Sequence, residues 1–265
     1  ATGTEEYRPT EYLYGEDPRV LTRLEFEELL ASQPDRVRGL GTLAFIGCVG
    51  SRTTGRQYCS RTCCSQTVKN ALRVKELNPD AQVLVLYRDM RTYGTREPYY
   101  REARRHGVAF LRYRAEEPPR VGVTGAGDLM LAATDVQSGR RIAVNPDLVV
   151  LSTAAVPAEG VAQLASLLKV PLDEHGFFLE LHPKMSPMDL PSHGIYVCGS
   201  AHAPKSISET IFQAQGAAAR AASLLAKKEL LAGGIVATVT EDKCAACLTC
   251  VRVCPYRVPF INQRN

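Results

Sequence analysis

No run of eighteen apolar residues occurs in the 265-residue chain, so the sequence offers no membrane-spanning helix. The opening ATGTEEYRPT lacks a basic n-region and an apolar h-region and does not read as a signal peptide. The formal charge is +4, but no basic run interleaved with aromatics appears, which argues against a nucleic-acid partner. The densest basic stretch, REARRHG (101–107), reads as a solvated helix face. No Ser/His/Asp set or paired-carboxylate signature suggests hydrolysis. Internal repeats and low-complexity tracts are also missing. What remains is an ordinary soluble composition, 45% hydrophobic and 23% charged, with room for one large domain or two to three small ones.

Cysteine is the residue in excess. Of nine, eight fall into two groups of four: Cys48, Cys59, Cys63 and Cys64, then Cys244, Cys247, Cys250 and Cys254. Secreted disulfide scaffolds are short and spread their cysteines, whereas clustered cysteines in an α/β sequence more often bind metal. A reducing, cytoplasmic location is expected. The lone Cys198 is expected in the core.

Hydrophobic periodicity orders the chain. The segment 19–31 (RVLTRLEFEELLA) has helical spacing, with Pro34 just beyond its end. Strands at 41–48, 81–90 and 108–114 then alternate with helices at 64–77 and 97–107, which implies a parallel sheet with right-handed crossovers. Residues 120–152 carry short alternating runs with GAGD and QSGR turns, an antiparallel meander ending in the buried strand DLVVLS. Its GVTGAG (122–127) opens no helix and is not a dinucleotide fingerprint. A helix at 158–170, a buried strand at 194–200, a long helix at 207–231 and a short strand IVATV (235–239) complete the expected elements.

The second cysteine group is CAACLTCVRVCP (244–255), C-x2-C-x2-C-x3-C-P, the spacing of bacterial ferredoxins. A tight loop directs three thiolates at one [4Fe–4S] cube, and the fourth cysteine is expected to begin a helix leading away. Zinc sites more often pair two C-x2-C units at wider separation. In two-cluster ferredoxins the fourth cysteine serves the other cluster, yet only eleven residues follow Cys254. PYRVPFINQRN reads as the first half of a ferredoxin repeat, so a fragment is expected rather than a one-cluster domain.

The first group follows a buried strand where a dinucleotide-binding unit would place G-x-G-x-x-G. The residues there are GCVGSRTTGRQYCSRTCC, with the wrong glycine spacing and a long loop. Cys59 and Cys63 are four apart and would share a helix face. Three readings are open: a [4Fe–4S] site, a redox-active dithiol, or buried unreactive thiols. The cluster is favoured, because a Cys63–Cys64 disulfide would be strained, the loop lacks C-x-x-C, and a helix N-terminus suits a cluster's negative charge. A four-thiolate cube carries about −2, so two would bring the net charge to about zero.

Taken together, ATG at the start, EYLYGEDPRVLTRLEFEELL, FIGCVGSR, YCSRTCC, LYRDMRTYG, GFFLELHPKMSPMD and CGSAHAPKSISETIFQAQGAAARAA resemble the heterodisulfide reductase A-subunit family. These are flavoproteins of thioredoxin-reductase fold found in methanogens and many anaerobic bacteria. The resemblance implies a [4Fe–4S] cluster on Cys48, Cys59, Cys63 and Cys64 close to FAD, with Lys69 approaching the flavin ring. It also implies a late strand and helix that close the FAD site through Gly199, Ser200, Ala201, Lys205, Ser206, Ile207 and Ser208. Ser200 stands where such flavoproteins carry Asp, and His202 lies in the loop that would cover the flavin, where a structural role is expected.

The expected fold is therefore α/β, a thioredoxin-reductase-like, Rossmann-type three-layer domain with a ferredoxin-like segment. Residues 1–38 and 153–234 would be parts of an FAD domain, 39–152 an NAD(P)-domain-like unit carrying the first cysteine group, and 235–265 a ferredoxin-like half-domain. The G-x-G-x-x-G unit that holds the ADP half of FAD is missing, so both ends are expected to be cut. The implied function is electron transfer between FAD and two [4Fe–4S] clusters, with flavin-based bifurcation, inside a multi-subunit complex. Expected partners are the other subunits of a heterodisulfide-reductase-like complex, a homo-oligomer of that complex, and ferredoxin or a hydrogenase/formate dehydrogenase-type donor. The alternatives are an NAD(P)H-dependent flavin disulfide reductase with a cysteine dithiol, and a non-flavin iron–sulfur adaptor.

Overall fold

The computed structural model describes residues 2–229, 237–255 and 258–261. Residues 4–156 with 204–206 form one compact unit, and residues 2–3, 157–203 and the described residues between 207 and 261 form the other.

In the first unit, short strands β1 (Thr4–Glu6) and β2 (Val20–Thr22) precede helices α1 (Arg23–Ser32) and α2 (Pro34–Arg38). Then come β3 (Thr42–Val49), α3 (Cys63–Leu77), β4 (Gln82–Tyr87), α4 (Glu97–Arg105) and β5 (Ala109–Arg112). Strands β6 (Arg120–Val123), β7 (Leu129–Thr134) and β8 (Arg141–Val144) lead to β9 (Leu148–Thr153) and β10 (Ala155–Pro157). A parallel five-stranded sheet runs in the order β2-β9-β3-β4-β5. Its inner strands are apolar at consecutive positions because both faces are covered. Leu43, Phe45, Val83, Val85 and Val150 pack with Phe26, Val68 and Val74 of the helices. Ala44, Ile46, Leu84, Leu86 and Leu151 pack with Leu129 and Leu131 of the antiparallel β6-β7-β8 sheet. Phe26 meets Phe45 edge to face at 5.5 Å.

Two boundaries differ from the periodicity. The 19–31 segment is a helix only from Arg23, because Val20–Thr22 is drawn into the sheet as the edge partner of β9. There Thr22 closes a capping box with Glu25, satisfying the first N–H groups of α1. Pro34 starts α2 at its N-terminus, where a missing N–H costs nothing. Strand β9, expected to end the meander, instead sits between β2 and β3, its start pinned where the Asp147 carboxylate accepts from the N–H groups of Gly41 and Thr42.

In the second unit, helix α5 (Val161–Leu168) packs through Val161 and Ala165 on Val170, Phe178, Leu190 and Val197. The strand expected at 194–200 does not form. Tyr196 makes a single bridge to Asp189, Val197 points inward, and Cys198 is exposed rather than in the core. Helix α6 (Ile207–Leu225) lies against Met188, and a Cβ at Gly216 would meet that sulfur at 2.5 Å. The small residue is therefore required by close approach. The expected 207–231 helix ends at Leu225, and residues 230–231 lie outside the described residues. So do Ile235 and Val236 of the expected strand IVATV, and its residues 237–239 are not in a strand. The last helix is α7 (Thr249–Val253). Among the described residues, no helix is long and apolar enough to cross a membrane.

Candidate functional site

Cys48 lies at the C-terminal end of β3 with φ +62°. Ile46 pairs with Leu151 but Val49 pairs with Thr153, so three steps of β3 oppose two of β9. This one-residue bulge turns Cys48 away from the regular alternation, as bulges beside functional sites do. The Tyr113 hydroxyl donates to the Gly47 carbonyl inside the bulge at 2.6 Å.

The following loop brings Cys59. It lies outside any helix, so the expected shared helix face of Cys59 and Cys63 is not how they meet. Its neighbours hold the loop instead: the Tyr58 hydroxyl donates to the Ala155 carbonyl at 2.8 Å, and the Ala155 N–H donates to the buried Ser60 Oγ at 2.9 Å. Cys63 and Cys64 open α3, whose N-terminus has no side-chain cap and leaves its first N–H groups and positive dipole end at the thiols. Like Cys48, Arg52 and Arg61 adopt left-handed backbone, at φ +58° and +62°. Such strained non-glycine residues gather at functional sites.

The four thiols are reduced and share one electrostatic neighbourhood. Burial, then the Cys64 charge, pushes the Cys48 thiol up. Cys63 donates a hydrogen bond to Cys64, which together with burial holds Cys63 well above the ordinary thiol range. The same bond, aided by the Arg91 N–H and the Arg91 and Arg52 charges, lowers Cys64. The Arg61 N–H donates to Cys59 Sγ at 3.3 Å. Arg52, Arg88 and Arg91 form a cationic rim whose charges oppose the rise at Cys48 and contribute to the lowering at Cys64. Burial also pushes Tyr12 up to about 12, and raises Tyr113; both rings wall the Cys48 side.

Among the described residues, no three His, Cys, Asp or Glu side chains converge on a position for a single metal ion. A cube is larger than an ion and takes more widely spaced thiolates. The donor set, four cysteines with peptide N–H groups donating to sulfur and arginine charges nearby, fits an anionic iron–sulfur cluster.

Lys69, on α3 just beyond the cysteine pair, is 59% exposed and pairs with Glu27 at 3.0 Å. It lines a cavity of about 1000 Å³ together with Ser65, Asn70, Thr92, Arg96 and Tyr99. Three buried oxygens on this wall, Ser65 Oγ, Asn70 Oδ1 and Thr92 Oγ1, have no hydrogen-bond partner. Buried polar atoms without partners are rare, and three lining one cavity mark a place suited to a polar ligand.

The residues expected at the FAD site are distributed along one stretch. Gly199, Ser200 and Ala201 form a single 3-10 turn, with Gly199 at φ +72°. Lys205 and the buried Ser206 precede α6, which begins at Ile207 and includes Ser208 in its first turn. A polarised chain runs beside them: the Gly199 N–H donates to Gln213 Oε1, and Gln213 Nε2 meets His202 Nδ1 at 2.8 Å. His202 Nε2 in turn meets Glu180 Oε2 at 2.8 Å. In the last group Cys244, Cys247 and Cys250 are exposed and Cys254 is half-buried. Cys254 follows the end of α7 instead of beginning a helix, and Cys250 lies within it, because the left-handed Leu248 starts the turn early. The Thr249 hydroxyl and N–H lower the Cys247 thiol.

No protein-family model matches the chain. It is 37% identical over 281 residues to the A subunit of the H(2):CoB-CoM heterodisulfide,ferredoxin reductase of Methanothermobacter marburgensis, covering 99% of this chain and 42% of that protein. It is 36% identical over 276 residues to the iron-sulfur A subunit of the CoB–CoM heterodisulfide reductase of Methanocaldococcus jannaschii, covering 97% of this chain and 41% of that protein. The chain belongs to the heterodisulfide reductase A-subunit family. It spans about two fifths of the length of those curated relatives. The thioredoxin reductase of T. acidophilum superposes with a TM-score of 0.55 at 15% identity, covering 85% of this chain and 64% of that one. That of Lactococcus lactis gives 0.52 at 17% identity, covering 84% and 62%. The fold is that of the thioredoxin reductases.

Periodicity and spacing did not single out Arg52, Asp89, Tyr113 or the Gly199–Gln213–His202–Glu180 chain. Arg52 stands in FIGCVGSR and Asp89 in LYRDMRTYG, but nothing local marks either as facing sulfur.

Proposed function

We propose that the chain is the cluster-bearing part of an electron-transferring iron–sulfur flavoprotein that works within a larger complex. Cys48, Cys59, Cys63 and Cys64 hold one [4Fe–4S] cluster and Cys244, Cys247, Cys250 and Cys254 a second, in a ferredoxin-like segment. Lys69 approaches the flavin ring of FAD, and Gly199, Ser200, Ala201, Lys205, Ser206, Ile207 and Ser208 are FAD-binding residues, with N–H groups near residues 206–208 for the flavin's pyrimidine edge. Bound, FAD and the clusters supply two-electron and one-electron chemistry respectively. The chain's own residues do the rest. The cationic rim offsets negative charge carried by ligating sulfurs, Tyr12 and Tyr113 wall the Cys48 side, and Lys69 presents a charge at the cavity wall. The assembly is a soluble, cytoplasmic, multi-subunit oxidoreductase. The names of the relatives, which couple a heterodisulfide with ferredoxin, hydrogen or formate, support such partners, and electron bifurcation at FAD is part of the same proposal.

The observation that carries this reading is that Cys48, Cys59, Cys63 and Cys64 share one electrostatic neighbourhood, with arginine charges and N–H donors to Cys59 and Cys64 beside them. The asymmetric acidity of Cys63 and Cys64 favours one second reading, a nucleophilic dithiol. Iron analysis of anaerobically purified protein separates the two. About eight irons per chain are expected for two cubes, falling to about four in a Cys63→Ala/Cys64→Ala variant. No iron at the first group after reconstitution with iron and sulfide brings the dithiol forward.

A further inference from the structure

Arg52 carries more structure than an ion pair needs. Its Nη2 donates to Asp89 Oδ2 at 2.7 Å, and its side chain is 19% exposed. Its N–H donates to the Tyr58 carbonyl at 3.1 Å, and its own carbonyl accepts from Arg88 Nη1 at 2.7 Å. The other Asp89 oxygen accepts from Arg112 Nη2 at 3.0 Å, and Arg112 Nε donates to the Arg88 carbonyl at 2.9 Å. One carboxylate therefore orients two guanidinium groups, Arg88 is tied to both of their chains, and the network keeps a net positive charge. Meanwhile Arg52 Nη1 is buried with no hydrogen-bond partner, although Cys48 lies within the guanidinium's reach. A protonated thiol is a poor acceptor, whereas a ligating sulfur carries negative charge and accepts readily. An unused donor beside a sulfur is a place kept for that charge.

We infer that Arg52, oriented by Asp89, is a positioning residue that donates to the sulfur shell of the cluster at Cys48 and sets its reduction potential. This rests on the reading of Cys48, Cys59, Cys63 and Cys64 as ligands. One-electron reduction takes the four-thiolate cube from about −2 to about −3, with no bond made or broken and no proton taken. A fixed donor and positive charge stabilise the more negative state, so Arg52 raises the potential. Arginine suits the task because its fork serves Asp89 and the sulfur at once, which an ammonium on a flexible stem does less well.

The test compares Arg52→Gln and Arg52→Lys in a Cys247→Ser/Cys250→Ser background, so that only the first group holds iron. Iron per chain is measured first, then the midpoint potential by dithionite titration followed by electron paramagnetic resonance. Arg52→Gln is expected to keep its iron and to move the midpoint down by at least a tenfold change in the reduction equilibrium, about 59 mV for one electron. Arg52→Lys is expected to recover part of that shift. An unchanged or raised midpoint in an iron-loaded Arg52→Gln protein overturns the inference. So does loss of iron from both variants with circular dichroism unchanged, which makes Arg52 a structural residue only. Failure of the underlying reading shows earlier and separately: the background protein with Arg52 intact then takes up no iron, and both ideas fall.

Discussion

The Tyr113 hydroxyl donates a 2.6 Å hydrogen bond to the carbonyl of Gly47, the residue before Cys48. A residue next to the end of β5 thereby holds the bulge of β3 in the shape that aims a cysteine. Tyr113→Phe keeps the buried ring and removes only the donor. It is expected to cost about 1–2 kcal/mol in urea unfolding. Iron retention during gel filtration is expected to fall as Cys48 loses its fixed direction. A variant as stable and as iron-rich as the parent protein shows that the bulge needs no tether.

Gly50 has φ +71°, and a Cβ there would lie 2.2 Å from the Tyr7 ring. That ring is itself covered by the Arg56 guanidinium at 4.3 Å. Gly50→Ala combines left-handed strain with overpacking, for an expected loss of about 2–4 kcal/mol. Thermal unfolding followed by circular dichroism reads this directly, and a loss below about 1 kcal/mol means that Tyr7 moves aside freely.

Asp135 sits where the β7–β8 hairpin turns. Its carboxylate accepts from the Ser138 hydroxyl and N–H and from the Arg112 N–H, at 2.7, 3.0 and 3.1 Å, and these bonds hold it below the ordinary carboxylate range. A depressed carboxylate stabilises the fold fully above its unfolded value near 3.9, and loses that contribution as pH falls through the lower folded value. Asp135→Asn is expected to be less stable by about 1–2 kcal/mol at pH 7. The gap should close below about pH 3. Denaturant midpoints of the two proteins compared across pH check the sign; a gap that widens on acidification contradicts it.

Lys69 and Glu27 are 59% and 29% exposed, so their ion pair adds little stability. Lys69→Met is expected to change unfolding free energy by less than about 0.5 kcal/mol. On the proposed placement of FAD, the same substitution lowers the flavin's reduction potential, because a positive charge beside the ring is lost. Spectroelectrochemistry of the flavin-loaded protein gives the potential. Equal potentials in the two proteins place Lys69 away from the ring.

Much of this architecture is legible in local sequence. Consecutive apolar residues at 43–46 and 83–86 specify strands buried on both faces, and the 3.6-residue spacing after Cys63 specifies α3. A cysteine at the end of a strand and a pair opening the next helix follow from those elements, since a crossover helix begins at the carboxyl end of the strand it follows. Tertiary structure decided the rest. Val20–Thr22 has helical spacing, but β9, more than a hundred residues later, claims it as a strand. The alternation at 194–200 predicts a buried strand, yet that segment makes one bridge and turns Cys198 to solvent. The aim of Cys48 depends on a register mismatch with β9 and a bond from Tyr113, and the cationic rim depends on which arginines the β3–α3 loop and the end of β4 bring together. Periodicity is a property of neighbours in the chain. Register, burial and the direction of a side chain are properties of neighbours in space, and these are chosen only when distant segments compete for the same hydrogen bonds and the same apolar surface.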